Sequence, residues 1–214
     1  MTQSEFIDSG PAAKIVRRAV TTWTLRMSSP DRLRPARSDV PMRVERSQVP
    51  SVDLSRALYA AVGSQVCWTD RFSWDHETWQ AWVHRESLGT WIATVHGTVA
   101  GFFELEAQPG GAVEIVLFGL LPQFHGQGLG GALLTACVEL AWRGGVDWGG
   151  PGAGPAAYVY LRTSTLDHRH AVRNYLARGF ERAESETADK GIPDPRFAPW
   201  PLSRDPRQVP ASDL

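Results

Sequence analysis

Residues 112–140 read AVEIVLFGLLPQFHGQGLGGALLTACVEL, and the way this stretch changes period decides the fold. From Ala112 to Leu121 the run is too continuously apolar for an edge strand, which predicts a strand inside a sheet. Beyond it, Leu129, Leu133, Ala136, Cys137 and Leu140 fall on one helical face, and Gly144-Gly145 ends that helix. The junction is His125-Gly126-Gln127-Gly128-Leu129-Gly130-Gly131. Glycines there let backbone approach a ligand closely, and the free N–H groups and dipole at a helix N-terminus attract an anion. A diphosphate is the natural guest.

Upstream, Thr90–Val95 and Thr98–Glu106 flank His96-Gly97, a two-residue connection that predicts a hairpin. A second turn, Gln108-Pro109-Gly110-Gly111, leads into the buried strand. Two antiparallel connections therefore precede the glycine turn, which excludes a dinucleotide-binding domain built from parallel βαβ units. Helices are predicted over Val52–Val66 and Asp75–Arg85. The aromatic loop between them holds Trp68 and Trp74, which either pack or line a substrate pocket, whereas Trp79 and Trp82 read as core.

Downstream, a strand is predicted over Ala157–Arg162, a helix over His168–Arg178 and a last strand from Phe180. Residues 1–50 combine prolines such as Pro30, Pro35, Pro41 and Pro50 with nine Lys/Arg, and only Val20–Met27 reads as a strand. The spacing divides the chain into a 1–50 extension packed on the main domain, a 51–186 domain and a 187–214 proline-rich tail. The class is α+β: a central, mostly antiparallel sheet with flanking helices and one βα phosphate-binding turn.

The bulk composition removes other classes. With 43% hydrophobic and 21% charged residues the chain can bury a core, and a net charge of -1 gives no global field for a polyanion or an anionic membrane. Cys67 and Cys137 lack metal-site or redox-pair spacing, so no metal is expected and a reducing, cytoplasmic setting is. Neither a signal-like nor a membrane-spanning run is read. The Asp167-His168-Arg169-His170 run fits no triad or metal pattern, because no nucleophile-elbow serine accompanies it.

With these elements placed, the sequence resembles the GNAT acyltransferase superfamily at three points. Its turn [R/Q]-x-x-G-x-[G/A] maps onto His125, Gly128 and Gly130, with His125 where Arg or Gln is usual. Its Y-x-x-x-G-[F/Y] segment maps onto Tyr175, Gly179 and Phe180, with Ala171 at the small position and His168 where Asn is usual. Val113-Glu114-Ile115-Val116 is similar to the superfamily's glutamate-bearing strand. The resemblance covers roughly residues 20–185, and FFELE, FGLLP and TSTLDH are similar to a bacterial subgroup.

The resemblance implies acetyl-CoA, or another acyl-CoA, as co-substrate on Gly126, Gln127, Gly128, Leu129, Gly130 and Gly131. It also implies thioester contacts from the backbone of Phe118, Gly119 and Leu120. Acyl transfer to an amine needs a base, because an amine with a pKa near ~10 is protonated at neutral pH. Glu114 is implied for that task, with Glu104 or Glu106 as substitutes and Glu104 also as a holder of the acceptor's ammonium. Tyr175 is implied as proton donor to the departing thiolate. Arg169, Arg173 and Arg178 either solvate their helix or meet the donor's 3′-phosphate.

The expected acceptor is a small-molecule primary amine attacking directly in a ternary complex, by a monomer or homodimer. Two alternatives stay open: an acyl-tRNA donor, suggested by the basic N-terminal arm, and a non-catalytic coenzyme A-binding module.

Overall fold

The computed structural model describes residues 15–63, 66–144 and 154–193. In chain order these form β1 (Ile15–Met27), β2 (Arg43–Arg46), α1 (Val52–Gly63), α2 (His76–Val83), β3 (Leu88–Val95) and β4 (Thr98–Ala107). Then follow β5 (Ala112–Leu120), α3 (Leu129–Arg143), β6 (Tyr158–Ser164), α4 (Ala171–Ala177) and β7 (Glu181–Pro193). The seven strands make one sheet in the order β2-β3-β4-β5-β6-β1-β7. Every pair is antiparallel except β5 with β6.

Helices cover both faces. Leu129, Leu133, Leu134, Cys137, Val138 and Ala141 of α3 join Tyr175 of α4 over one face, with Leu25, Phe103, Val113, Ile115 and Leu161 beneath them. On the other face Val52, Leu58, Tyr59 and Val62 of α1 and Trp79 of α2 cover Phe102 and Leu117. Completely burying one such side chain contributes about 1.5–3 kcal/mol. The two clusters therefore fix which face each strand residue takes.

A bulge in β5 changes that assignment midway. Glu104 faces Leu117 and Leu105 faces Ile115, so Val116 has no opposite number on β4. An extra residue shifts the side-chain alternation by one. Accordingly Phe118 and Leu120 join Val113 and Ile115 on the α3 side, while Leu117 turns to α1.

The structure places parts of both flanking segments in the sheet. β1 is thirteen residues long and lies between β6 and β7, pairing with both, so this part of the 1–50 segment is a sheet strand. β2 forms the opposite edge, and its four residues were too few to show an alternation in the sequence. β7 continues six residues past Thr187 to Pro193. The tail's prolines argued against a regular element, yet the first of them is Pro193, so every residue from 181 to 192 keeps the N–H a ladder requires.

Candidate functional site

β5 and β6 pair only from Ala112 with Tyr158 to Ile115 with Leu161. Both strands continue beyond that point, to Leu120 and Ser164, paired with β4 and β1 but not with each other. A cleft of about 890 Å³ opens in the gap. Its walls include Ile115–Leu120 of β5, Leu161–Ser164 of β6, Val20 and Thr22 of β1, and Tyr175 of α4.

The glycine turn closes one end of this cleft. Gly126 and Gly128 have φ of 78° and 76°, the left-handed region where a side chain is strained, and Gly128 is the N-cap of α3. Gly126, Gly130 and His125 line the cleft. Leu129 is buried in the core, so only its backbone can serve a ligand. Asn174 Nδ2 donates to the Gly130 carbonyl at 3.1 Å and ties α4 to the turn.

A segment between β1 and β2 backs the turn from outside. Ser38 Oγ donates to the Gln127 carbonyl at 3.1 Å, and the Ala36 N–H donates to Thr135 Oγ1 at 2.9 Å. Gly119, on the β5 wall, is required by packing: a Cβ there would collide with Val62 Cγ1.

His125 is committed within the protein. Its Nε2 donates to the Leu120 carbonyl at 3.1 Å, and its Nδ1 is buried without a partner. Its ring centroid is 5.0 Å from that of His168, which in turn lies 5.3 Å from His170. Burial, followed by the neighbouring His125, His170 and Arg169, holds His168 below the usual imidazole pKa.

Tyr175 lines the cleft and packs against Phe118 and Phe180. Its hydroxyl has no hydrogen-bond partner among the described residues, and burial, helped by Asp167, pushes its pKa well above that of a free phenol. Cys67 also lines the cleft, with its thiol pushed up by burial, so it is not a thiolate nucleophile at neutral pH.

The carboxylates separate into three settings. Glu114 lies beside the cleft rather than on its wall: Tyr160 donates to its Oε2 at 2.8 Å, Gln108 reaches it at 3.4 Å and Arg162 stands 3.9 Å away. Glu104 is fully buried under α1 and α2, where Trp82, Ser55 and Arg71 occupy its oxygens at 3.1, 3.3 and 3.4 Å. Burial raises its pKa. Glu106, also on β4, is likewise held by an arginine, Arg85, at 2.7 Å.

The third setting, Asp167, is on the cleft wall. Its Oδ2 accepts from Thr163 Oγ1 and the Ser164 N–H at 2.8 Å each, and its Oδ1 from the Trp68 indole at 3.4 Å.

Sequence reasoning named Trp68, Phe118, Gly119, Leu120, His125, His168 and Tyr175 as site candidates, and all seven line this one cleft together with Gly126 and Gly130 of the turn. It did not separate Trp68 from Trp74, which packs against Trp79 and Trp82 away from the cleft lining. It missed Asp167, Asn174 and the β1 residues. Asp167 stood in the D-H-R-H run, and only its position at the end of β6 marks it.

Among the described residues no His/Cys/Asp/Glu cluster could hold a metal, and no helix is long and apolar enough to cross a membrane.

Residues 54–148 match the model of the Acetyltransferase (GNAT) family. This stretch, somewhat under half of the chain, is similar to that family. The match ends before β6, so β6, α4 and Tyr175 are placed by the fold. No curated protein matches the sequence.

Among solved structures, the chain is similar to a GCN5-related N-acetyltransferase from Kribbella flavida at 18% identity and a TM-score of 0.53, covering 85% of this chain and 62% of that one. A GCN5-related N-acetyltransferase from Sphaerobacter thermophilus gives 18% identity and 0.55, covering 83% and 54%. A functionally unknown conserved protein from Staphylococcus epidermidis gives 13% identity and 0.51, covering 83% and 64%. The chain spans less than two thirds of the length of each of these proteins.

Proposed function

We propose that this chain is an acyltransferase that moves an acetyl or other short acyl group from acyl-coenzyme A to a primary amine of a small molecule in the cytoplasm. The observation that carries this reading is the parting of β5 and β6 beyond Ile115 and Leu161. It leaves the inner edge of β5 at 116–120 without a strand partner, over a cleft that ends at the glycine turn. Unpaired backbone amides on that edge suit the amide-bearing arm and thioester carbonyl of the donor, and the turn suits its diphosphate.

Direct attack in a ternary complex is the mechanism that the cleft chemistry supports best. Cys67 is held as the neutral thiol, which speaks against an acyl-cysteine step. The attacking amine must lose a proton, and Asp167 is the carboxylate held on the wall by Trp68, Thr163 and Ser164. Asp167 meets the ammonium, and Glu114 acts more remotely, through water beside Arg162.

Tyr175 has a pKa above that of a thiol, so it stabilises the departing thiolate by a hydrogen bond rather than by giving its proton outright. The deciding experiment incubates the protein with acetyl-CoA and a panel of amines, following thiol release and identifying products by mass spectrometry. Absence of thiol release across the panel, with donor binding intact, would leave a coenzyme A-binding module. Bulk tRNA in a parallel titration tests the competing donor, which the exposed Arg34 and Arg37 behind the turn would favour.

A further inference from the structure

Gly131 is a glycine for a reason other than phosphate approach. A Cβ on Gly131 would stand 2.6 Å from Arg178 Nη1 and 2.9 Å from Ala36 Cβ, far inside normal contact. The missing side chain thus leaves room for a guanidinium beside the first turn of α3.

Arg178 caps the C-terminus of α4 and lines the donor end of the cleft. Among the described residues it makes no ion pair, and its Nε is buried without a partner. A partly buried cation beside the positive end of a 15-residue helix is destabilised twice, by lost hydration and by the helix dipole. Both terms reverse when an anion arrives.

The side chains of the turn itself cannot supply that charge. His125 spends Nε2 on the Leu120 carbonyl, and Gln127 Nε2 donates to the Gln123 carbonyl at 2.9 Å. The main chain around Arg178 is meanwhile fixed, because its carbonyl accepts from the Arg34 N–H at 3.0 Å.

We infer that Arg178 is the cation that holds the donor's diphosphate, in place of the charged side chain absent at position 125, and that Gly131 exists to admit it. This rests on the acyl-coenzyme A reading above and adds the residue that discriminates for the phosphate. A guanidinium presents paired N–H donors that match phosphate oxygens.

The test titrates coenzyme A and dephospho-coenzyme A calorimetrically into the full chain as wild type, Arg178→Gln, Arg178→Lys, Gly131→Ala and the Gly131→Ala/Arg178→Gln double variant. Loss of a charge-assisted contact predicts ~10- to 100-fold weaker binding of both ligands for Arg178→Gln at unchanged unfolding temperature, with Arg178→Lys intermediate. Gly131→Ala should weaken binding while Arg178 is present and add little once it is replaced.

Equal affinities for Arg178→Gln and wild type would overturn the inference. So would a loss confined to coenzyme A, which would assign Arg178 to the 3′-phosphate, and so would additive effects in the double variant. Wild type binding neither ligand would remove the donor reading itself, a result distinct from all of these.

Discussion

His125 donates from Nε2 to the Leu120 carbonyl 3.1 Å away, so the side chain that opens the turn also pins it to the end of β5. That bond requires a proton on Nε2, and Nδ1 is buried without a partner. Replacing His125 with Arg trades a neutral bond for a cation near the proposed diphosphate. Coenzyme A affinity should hold or tighten, measured by calorimetry. A loss beyond ~10-fold with an intact fold would mean that the bond to Leu120 shapes the cleft.

The glycines of the turn should respond differently to the same substitution. Gly128 sits at φ 76°, so Gly128→Val strains the backbone by about 1–2 kcal/mol or more and lowers stability along with donor affinity. A Cβ on Gly130 would meet Leu120 Cδ1 at 3.8 Å and Asn174 Nδ2 at 3.9 Å, both ordinary contacts. Gly130→Val should therefore lower stability less than Gly128→Val, because its Cβ is accommodated and its φ is not left-handed, yet bind coenzyme A ~10-fold or more weakly as its methyl groups enter the ligand's space. Unchanged affinity for Gly130→Val would move the donor away from this turn.

The turn, the hairpin and the buried β5 were legible because each rests on local pattern: glycine at a period change, a two-residue connection, a continuous apolar run. Phe118, His125 and Tyr175 followed from those elements and the resemblance. What could not be read was set by pairing far along the chain. β1 lies between β6 and β7 through partners such as Thr22 with Ser164 and Thr21 with Thr187, more than 140 residues away. The bulge at Val116 leaves no local mark either, so the sequence alone could not show that Leu117 turns to α1 while Phe118 joins the α3 side. Nor does the alternation along β4 by itself say which face is covered, so it could not show that Glu104 meets Ser55 and Arg71 under the helices.

That buried pair allows a stability prediction. Arg71 and Glu104 are almost wholly shielded, and the arginine also lies over the Trp82 ring at 3.8 Å. Glu104→Leu strands the guanidinium among aromatic rings and should cost about 3–5 kcal/mol by urea unfolding. The exposed pair Arg43 and Glu45 is the control, where Glu45→Ala should change stability by no more than about 0.5 kcal/mol. Similar effects at both positions would show that Arg71 finds water or another partner.

The histidine stack predicts a pH dependence. The folded protein holds His168 below its unfolded pKa of about 6.5, chiefly through burial and then through His125, His170 and Arg169. In the window below that value the unfolded chain binds the extra proton first, so stability falls as pH is lowered. Unfolding midpoints measured between pH 7.5 and 5 should decline more steeply for wild type than for His168→Gln. Parallel curves would show that the imidazole charges equally in both states.

The last prediction concerns how the proton leaves the amine and what stabilises the thiolate. Asp167 is on the cleft wall and Glu114 is beside it, engaged by Tyr160. If Asp167 meets the ammonium, Asp167→Asn should reduce turnover at neutral pH by ~10²–10⁴-fold, recovering partly at higher pH as more amine is neutral on its own. Because Asp167 also holds the Trp68 indole and the Ser164 N–H, Asp167→Asn is paired with Trp68→Phe, which removes one of those bonds and leaves the carboxylate. A slower Asp167→Asn beside a near-normal Trp68→Phe marks the charge as the active feature. Glu114→Gln should fall less than Asp167→Asn, and the reverse order would return the base role to Glu114. Tyr175→Phe keeps the contacts to Phe118 and Phe180 and removes only the hydroxyl. It should lower kcat by ~10- to 100-fold with donor affinity nearly unchanged, and single-turnover measurements would ensure that chemistry rather than product release is being read. Equal single-turnover rates for Tyr175→Phe and wild type would leave Tyr175 as a packing residue and assign thiolate stabilisation to the backbone amides of β5.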